Sequence, residues 1–150
     1  MPLTPDLMEA LTLETAVIQP LSQGATRQWL YDKRIVVYRI QDIHRETVDA
    51  WANAVTEDVN NWSPNRPLLN MHDFTAIETL SFSPYVASRA RALTSLAPNH
   101  AGRTALVMQK SLVSTIIYLF LKSQQNKVRP RKIFTDAREG LAWLKELLED

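Results

Sequence analysis

The 150-residue chain contains no cysteine, which excludes disulfide frameworks, thiolate catalysis and Cys-ligated metal or iron–sulfur centres. It has only three glycines, Gly24, Gly102 and Gly140, so neither a G-x-G-x-x-G dinucleotide fingerprint nor a Walker loop can be written. The G-x-S-x-G elbow of serine hydrolases is missing too. His44, His72 and His100 lack local ligand spacing of the H-E-x-x-H kind, so no metal site is expected. Charge of one sign is also lacking: 17 basic against 16 acidic side chains leave +1, a balance that predicts neither a nucleic-acid partner nor a charged membrane surface. The longest apolar run, Ile116 to Leu121, is six residues, far from the roughly 20 of a spanning helix. No basic stretch followed by an apolar one marks a secretory leader. With 45% apolar and 22% charged residues, the composition is that of a soluble globular domain. These exclusions together predict a cytoplasmic protein without a cofactor.

What is present is a strand–helix alternation. Residues 1–26 read as an N-terminal extension with an extra strand at Ala16–Leu21, and 27–150 as one domain. Gln28–Tyr31 and Ile35–Ile40 are β-rich runs joined through Asp32-Lys33-Arg34, a hairpin pattern. The continuously apolar Ile35-Val36-Val37-Tyr38 predicts a strand covered on both faces. Val48, Trp51, Val55, Val59 and Trp62 fall on one helical face, closed by Ser63-Pro64. Pro67–Met71 then reads as a strand, with a loop from His72 to Ser83. Ser83-Pro84 supplies an N-cap and a first-turn proline for a helix with Val86, Ala90, Leu93 and Ala97 inward. Thr104–Met108 and Lys132–Thr135 are strands, separated by a helix from Ser111 to about Gln125. Asp136 with Glu139 resembles a capping box for a last helix striped by Leu141, Leu144 and Leu148. The predicted fold class is α/β: a mixed sheet of about five strands, an N-terminal hairpin followed by parallel β-α units, and four helices.

Right-handed crossovers place strand C-termini and helix N-termini on one edge, where a site belongs. There the pattern gathers a polar cluster of His44, His72, Asp73 and Lys110, with Asp42, Ser111, Thr135 and Asp136 nearby. Asp42 or His44, Ser83, Ser111 and Asp136 stand where helices begin, and capping explains them more simply than chemistry does. His72 and Asp73 are adjacent and must point to opposite faces of a strand, so they cannot act as base and orienter. No catalytic residue is assigned. Lys122, Lys127, Arg129, Arg131 and Lys132 form a basic stretch without interleaved aromatics, more simply a solvated loop than an anion site. The helix from Ser111 is apolar around nearly its whole circumference. Its surplus face, with Ile116, Ile117, Phe120 and Leu121, needs burial by neighbours, by a second subunit in a homodimer, or by a lipophilic ligand.

The segment Phe134-Thr135-Asp136-Ala137-Arg138-Glu139-Gly140-Leu141-Ala142-Trp143-Leu144 resembles the closing signature of SpoIIAA-like proteins, with Gly140 where alanine is usual. Ala105-Leu106-Val107-Met108 resembles their preceding strand, and Leu68-Leu69-Asn70-Met71-His72-Asp73 their strand ending in aspartate. The resemblance spans about residues 27–148. It implies a STAS-type fold, a group that works by docking on a protein partner and whose wider fold relatives include CRAL-TRIO lipid carriers. The loop matching the STAS phosphoacceptor turn reads Glu78-Thr79-Leu80-Ser81-Phe82-Ser83-Pro84, without the Asp and Gly of that pattern. By this resemblance Thr79, Ser81, Phe82 and Ser83 are candidates for partner binding or phosphorylation. The resemblance implies a non-enzymatic regulatory or protein-interaction domain with an unidentified protein partner. Carriage of a small lipophilic ligand is the alternative.

Overall fold

A computed structural model describes residues 17–78, 83–114 and 127–148. Its centre is one six-stranded mixed sheet in chain order: β1 (Ile18–Ser22), β2 (Ala25–Leu30), β3 (Ile35–Ile40), β4 (Leu68–Asp73), β5 (Gly102–Val107) and β6 (Arg131–Phe134). The first three strands are antiparallel neighbours, and β3 through β6 pair in parallel. Three α-helices lie among the described residues: α1 (Arg45–Asn60), α2 (Pro84–Thr94) and α3 (Ala137–Lys145). The α/β layering with a hairpin and later parallel units is therefore as the pattern predicts. The strand count is corrected from about five to six, because Ile18–Ser22 pairs with β2 and completes the sheet. The helix expected from Ser111 to Gln125 begins as a 3₁₀ turn at Lys110–Leu112, and its remainder beyond Ser114 lies outside the described residues.

Alternation in β3 distributes its side chains to two cores. Val36, Tyr38 and Ile40 face α1 and α2, together with Trp51, Val55, Val59 and Val86. Ile35 and Val37 face the other way, with Leu69, Met71, Ala105 and Val107 under Leu141 and Leu144 of α3. The apolar run in β3 is thus covered on both sides, as a parallel interior strand requires. Caps hold two of the helices as anticipated. Ser83 Oγ accepts the Val86 N–H at 3.2 Å and Asp136 Oδ1 accepts the Arg138 N–H at 2.8 Å. Ser111 is no cap, since it sits inside the 3₁₀ turn that follows Gln109.

Two glycines act through close approach. A Cβ at Gly140 would lie 3.3 Å from Met71 Sδ and 3.4 Å from Phe134 Cδ2 and Val107 Cγ2, so α3 rests directly on the sheet there. Glycine here lowers helix propensity by about 1 kcal/mol relative to alanine, and the close approach it allows accompanies burial of Leu141 and Leu144 to 1% and 0% exposure. At Gly102 a Cβ would overlap the backbone carbonyl of Leu68 on the neighbouring strand. The β2–β3 turn has the opposite problem: Tyr31, Asp32 and Lys33 all hold positive φ, 53°, 56° and 62°, without a glycine. Two substitutions should therefore move stability in opposite directions in urea unfolding. Lys33→Gly is expected to stabilise by about 1 kcal/mol by relieving left-handed strain, and Gly102→Ala to destabilise by 2 kcal/mol or more, roughly, through backbone overlap.

Candidate functional site

The polar residues predicted to gather on the sheet edge are dispersed by the strand pleat. His44 is the residue before α1, with its side chain 83% exposed and its ring 3.6 Å from Asp42. Asp42 accepts the His44 N–H at 3.0 Å. Its carboxyl is held below the usual range chiefly by the Thr47 hydroxyl, with His44 contributing and partial burial opposing. This cluster organises the start of α1. Asp73 Oδ1 accepts from the N–H of Thr75 at 2.9 Å and from its hydroxyl at 2.6 Å, shaping the turn after β4. Lys110 is exposed in the 3₁₀ turn. Ser83 is committed to its cap, while Thr79, Ser81 and Phe82 lie outside the described residues, as do Ile116, Ile117, Phe120 and Leu121.

His72 leaves the edge altogether. It is buried to 5% exposure on the α1 side of β4, while Asp73, next in the strand, faces the opposite side, as alternation dictates. The Trp51 indole of α1 donates to His72 Nδ1 at 3.0 Å. With Nδ1 used as an acceptor, the neutral ring carries its proton on Nε2. In register beside His72 on β3 is Tyr38, whose ring stacks on the imidazole at 5.2 Å and 16°. The Tyr38 hydroxyl donates to Asp58 at 2.6 Å, and Arg27 of β2 reaches the other carboxylate oxygen at 2.7 Å. Burial, then the negative charge of Asp58, raise the Tyr38 pKa well above its ordinary value. Burial alone lowers that of His72 to about 3.

Beside this chain lies a cavity of about 100 Å³ between the sheet and the pair α1–α2. Most of its wall is apolar, from Ile40, Val48 and Val55 to Val86 and Leu106. Its floor carries polar groups in two rows of the sheet. Asn70, Thr104 and Arg131 are register neighbours across β4, β5 and β6, and His72 sits one pleat further along β4. Asn70 is 5% exposed and its Oδ1 has no hydrogen-bond partner, a state that costs about 1–3 kcal/mol in a closed core. Sequence reasoning reached His72 but missed Trp51, Tyr38, Asn70 and Thr104 as its companions. The available signal was the period-two polar pair Asn70 and His72, which interrupts the apolar Leu68, Leu69 and Met71.

Within the basic stretch, Arg129 serves the structure. Arg129 donates to the carbonyls of Leu96, Ala97 and His100 at 2.5, 2.7 and 2.8 Å, closing the loop after α2. Among the described residues no group of three or more His, Asp or Glu is placed to hold a metal ion, and no helix is long and apolar enough to cross a membrane. No family model, curated protein or solved structure matches the chain.

The buried neutral His72 makes stability depend on pH with a defined sign. The unfolded ring takes a proton near the ordinary imidazole value of 6.5 and the folded ring only near about 3. The unfolded state therefore binds more protons between those values, and stability falls as pH drops through that window. Urea unfolding from pH 6.5 to 4.5 should show a contribution approaching 1.4 kcal/mol per pH unit. His72→Gln, which keeps an acceptor for Trp51, should remove most of that slope. An unchanged slope in the variant would assign the dependence to other groups.

Proposed function

We propose that this chain is a cytoplasmic, non-enzymatic binding domain whose working site is the cavity between the sheet and α1–α2, where it holds a small lipophilic ligand. The observation that carries this reading is the cavity's make-up: an apolar wall over a floor where Asn70 Oδ1 is unpaired and the His72 ring is oriented by Trp51, the usual composition of a small-molecule site. Its volume is of the same order as the roughly 150 Å³ that takes up benzene in an engineered protein core. The expected occupant therefore has a handful of heavy atoms, unless α2 shifts outward. That helix is the least anchored wall, since only Val86 and Ala87 among its residues are fully buried, whereas α1 buries eight. Binding is favoured over catalysis because the buried imidazole is kept neutral and its Nδ1 is engaged by Trp51. Its neighbouring carboxylate, Asp73, faces away, so base and orienter are not assembled.

A second reading is a STAS-like protein-interaction module, homodimeric or paired with another protein, docking through the loop from His72 to Ser83 and α2. The resemblance of Phe134–Leu144 to SpoIIAA-like proteins supports it, as does the largely uncovered surface of α2. Native mass spectrometry combined with thermal unfolding in saturating benzene separates the two. The ligand-binding reading expects a monomer whose melting temperature rises by a few degrees, the linkage expected of a probe that enters only the folded state. A dimer indifferent to benzene would overturn it in favour of the interaction module.

A further inference from the structure

A parallel strand buried on both faces is ordinarily an unbroken apolar run. In β4 that run is interrupted twice on the same face, by Asn70 and His72, and in β5 once, by Thr104 directly opposite Asn70. All three line the cavity. The other face of β4 and β5 carries the apolar Leu69, Met71, Ala105 and Val107, with the charged Arg103 and Asp73 toward the strand ends. Buried Gln28, Asp58 and Asp73 elsewhere in the fold each accept from a protein group, whereas Asn70 Oδ1 at the cavity has no such partner.

Their hydrogen-bonding states are complementary. Asn70 Oδ1 is a buried acceptor with no partner. His72 gives its Nδ1 to the Trp51 indole, which leaves Nε2–H as a donor, and this donor has no partner among the described residues. The imidazole cannot rotate to exchange the two nitrogens without losing Trp51 and the stack on Tyr38. Buried polar groups are nearly always satisfied, so an acceptor and a fixed donor left open at the floor of one cavity call for a common partner.

Resting on the ligand-binding reading above, we infer that the cavity selects a short apolar molecule with one polar end that is both donor and acceptor, donating to Asn70 and accepting from His72. A primary carboxamide has this pattern, with its N–H and C=O on adjacent atoms. A ketone or ester has the acceptor alone and leaves Asn70 unpaired. Because the penalty for an unpaired buried group exceeds the gain from an ordinary contact, discrimination between such near-isosteres is strong.

Butyramide and pentan-2-one, each with six heavy atoms, are suitable probes, and benzene reports on the cavity itself. In ¹H–¹⁵N titrations of the intact chain, butyramide should shift the His72 side-chain resonances and bind at least tenfold more tightly than pentan-2-one. Asn70→Leu should abolish that preference. Equal binding of amide and ketone to the unaltered chain overturns the inference without needing any variant. So does a water that bridges Asn70 and His72 and persists at saturating butyramide. In both cases benzene still enters and the ligand-binding reading survives. If none of the three probes enters, that reading fails and this inference with it.

Discussion

The hydrogen bond from the Trp51 indole to His72 Nδ1 ties the cavity side of the sheet to helix α1. It is a polar tie between the long helix α1 and the central strand β4, set among apolar contacts and beside the bonds of Asp58 to Tyr38 and Arg27 that join α1 to β3 and β2. It also decides which nitrogen of His72 carries the proton and where that proton points. The other contacts of the ring reinforce the same pose: Tyr38 stacks on one side, and its hydroxyl is held by Asp58, which is held in turn by Arg27. A chain of side chains from β2 through α1 and β3 to β4 therefore fixes one imidazole. Such a network is valuable only when complete, since an unpaired member in a dry interior is costly.

The two faces of the sheet are built to different standards. On the α3 side, the absence of a side chain at Gly140 lets the helix settle onto Met71, Phe134 and Val107, and Leu141 and Leu144 close the core. On the other side, α1 is well buried, α2 is held by fewer contacts, and space remains between them and the strands. Packing of the first kind serves stability. Space of the second kind is expensive in a protein interior, where a void forfeits the dispersion contacts of its lining. Its polar floor gives that space a chemical character that an accidental packing defect would not have.

Much of the architecture was readable in advance, because it depends on local rules. The hairpin around Asp32-Lys33, the helical face of Val48, Trp51, Val55 and Val59, the caps Ser83 and Asp136, and the doubly buried β3 all follow from side-chain period and turn chemistry. The opposed directions of His72 and Asp73 followed from strand alternation alone. The sixth strand was foreseen only as an extra segment, since Pro20 and the short run around it gave a weak signal for what proved to be an edge strand.

The sequence by itself determined which residues share a face and where elements start and stop, because those properties depend on neighbours within a turn or a pleat. It placed His72 at an edge because β4 was read as ending at Met71, two residues before its pairing with β5 stops at Asp73. Only the tertiary structure decided that this face of β4 lies under Trp51, that Asn70 and Thr104 meet across two strands, and that Arg129 spends its donors on the loop after α2. Each of these joins residues distant along the chain. Periodicity says which way a side chain points, but what it meets there depends on how distant segments pack.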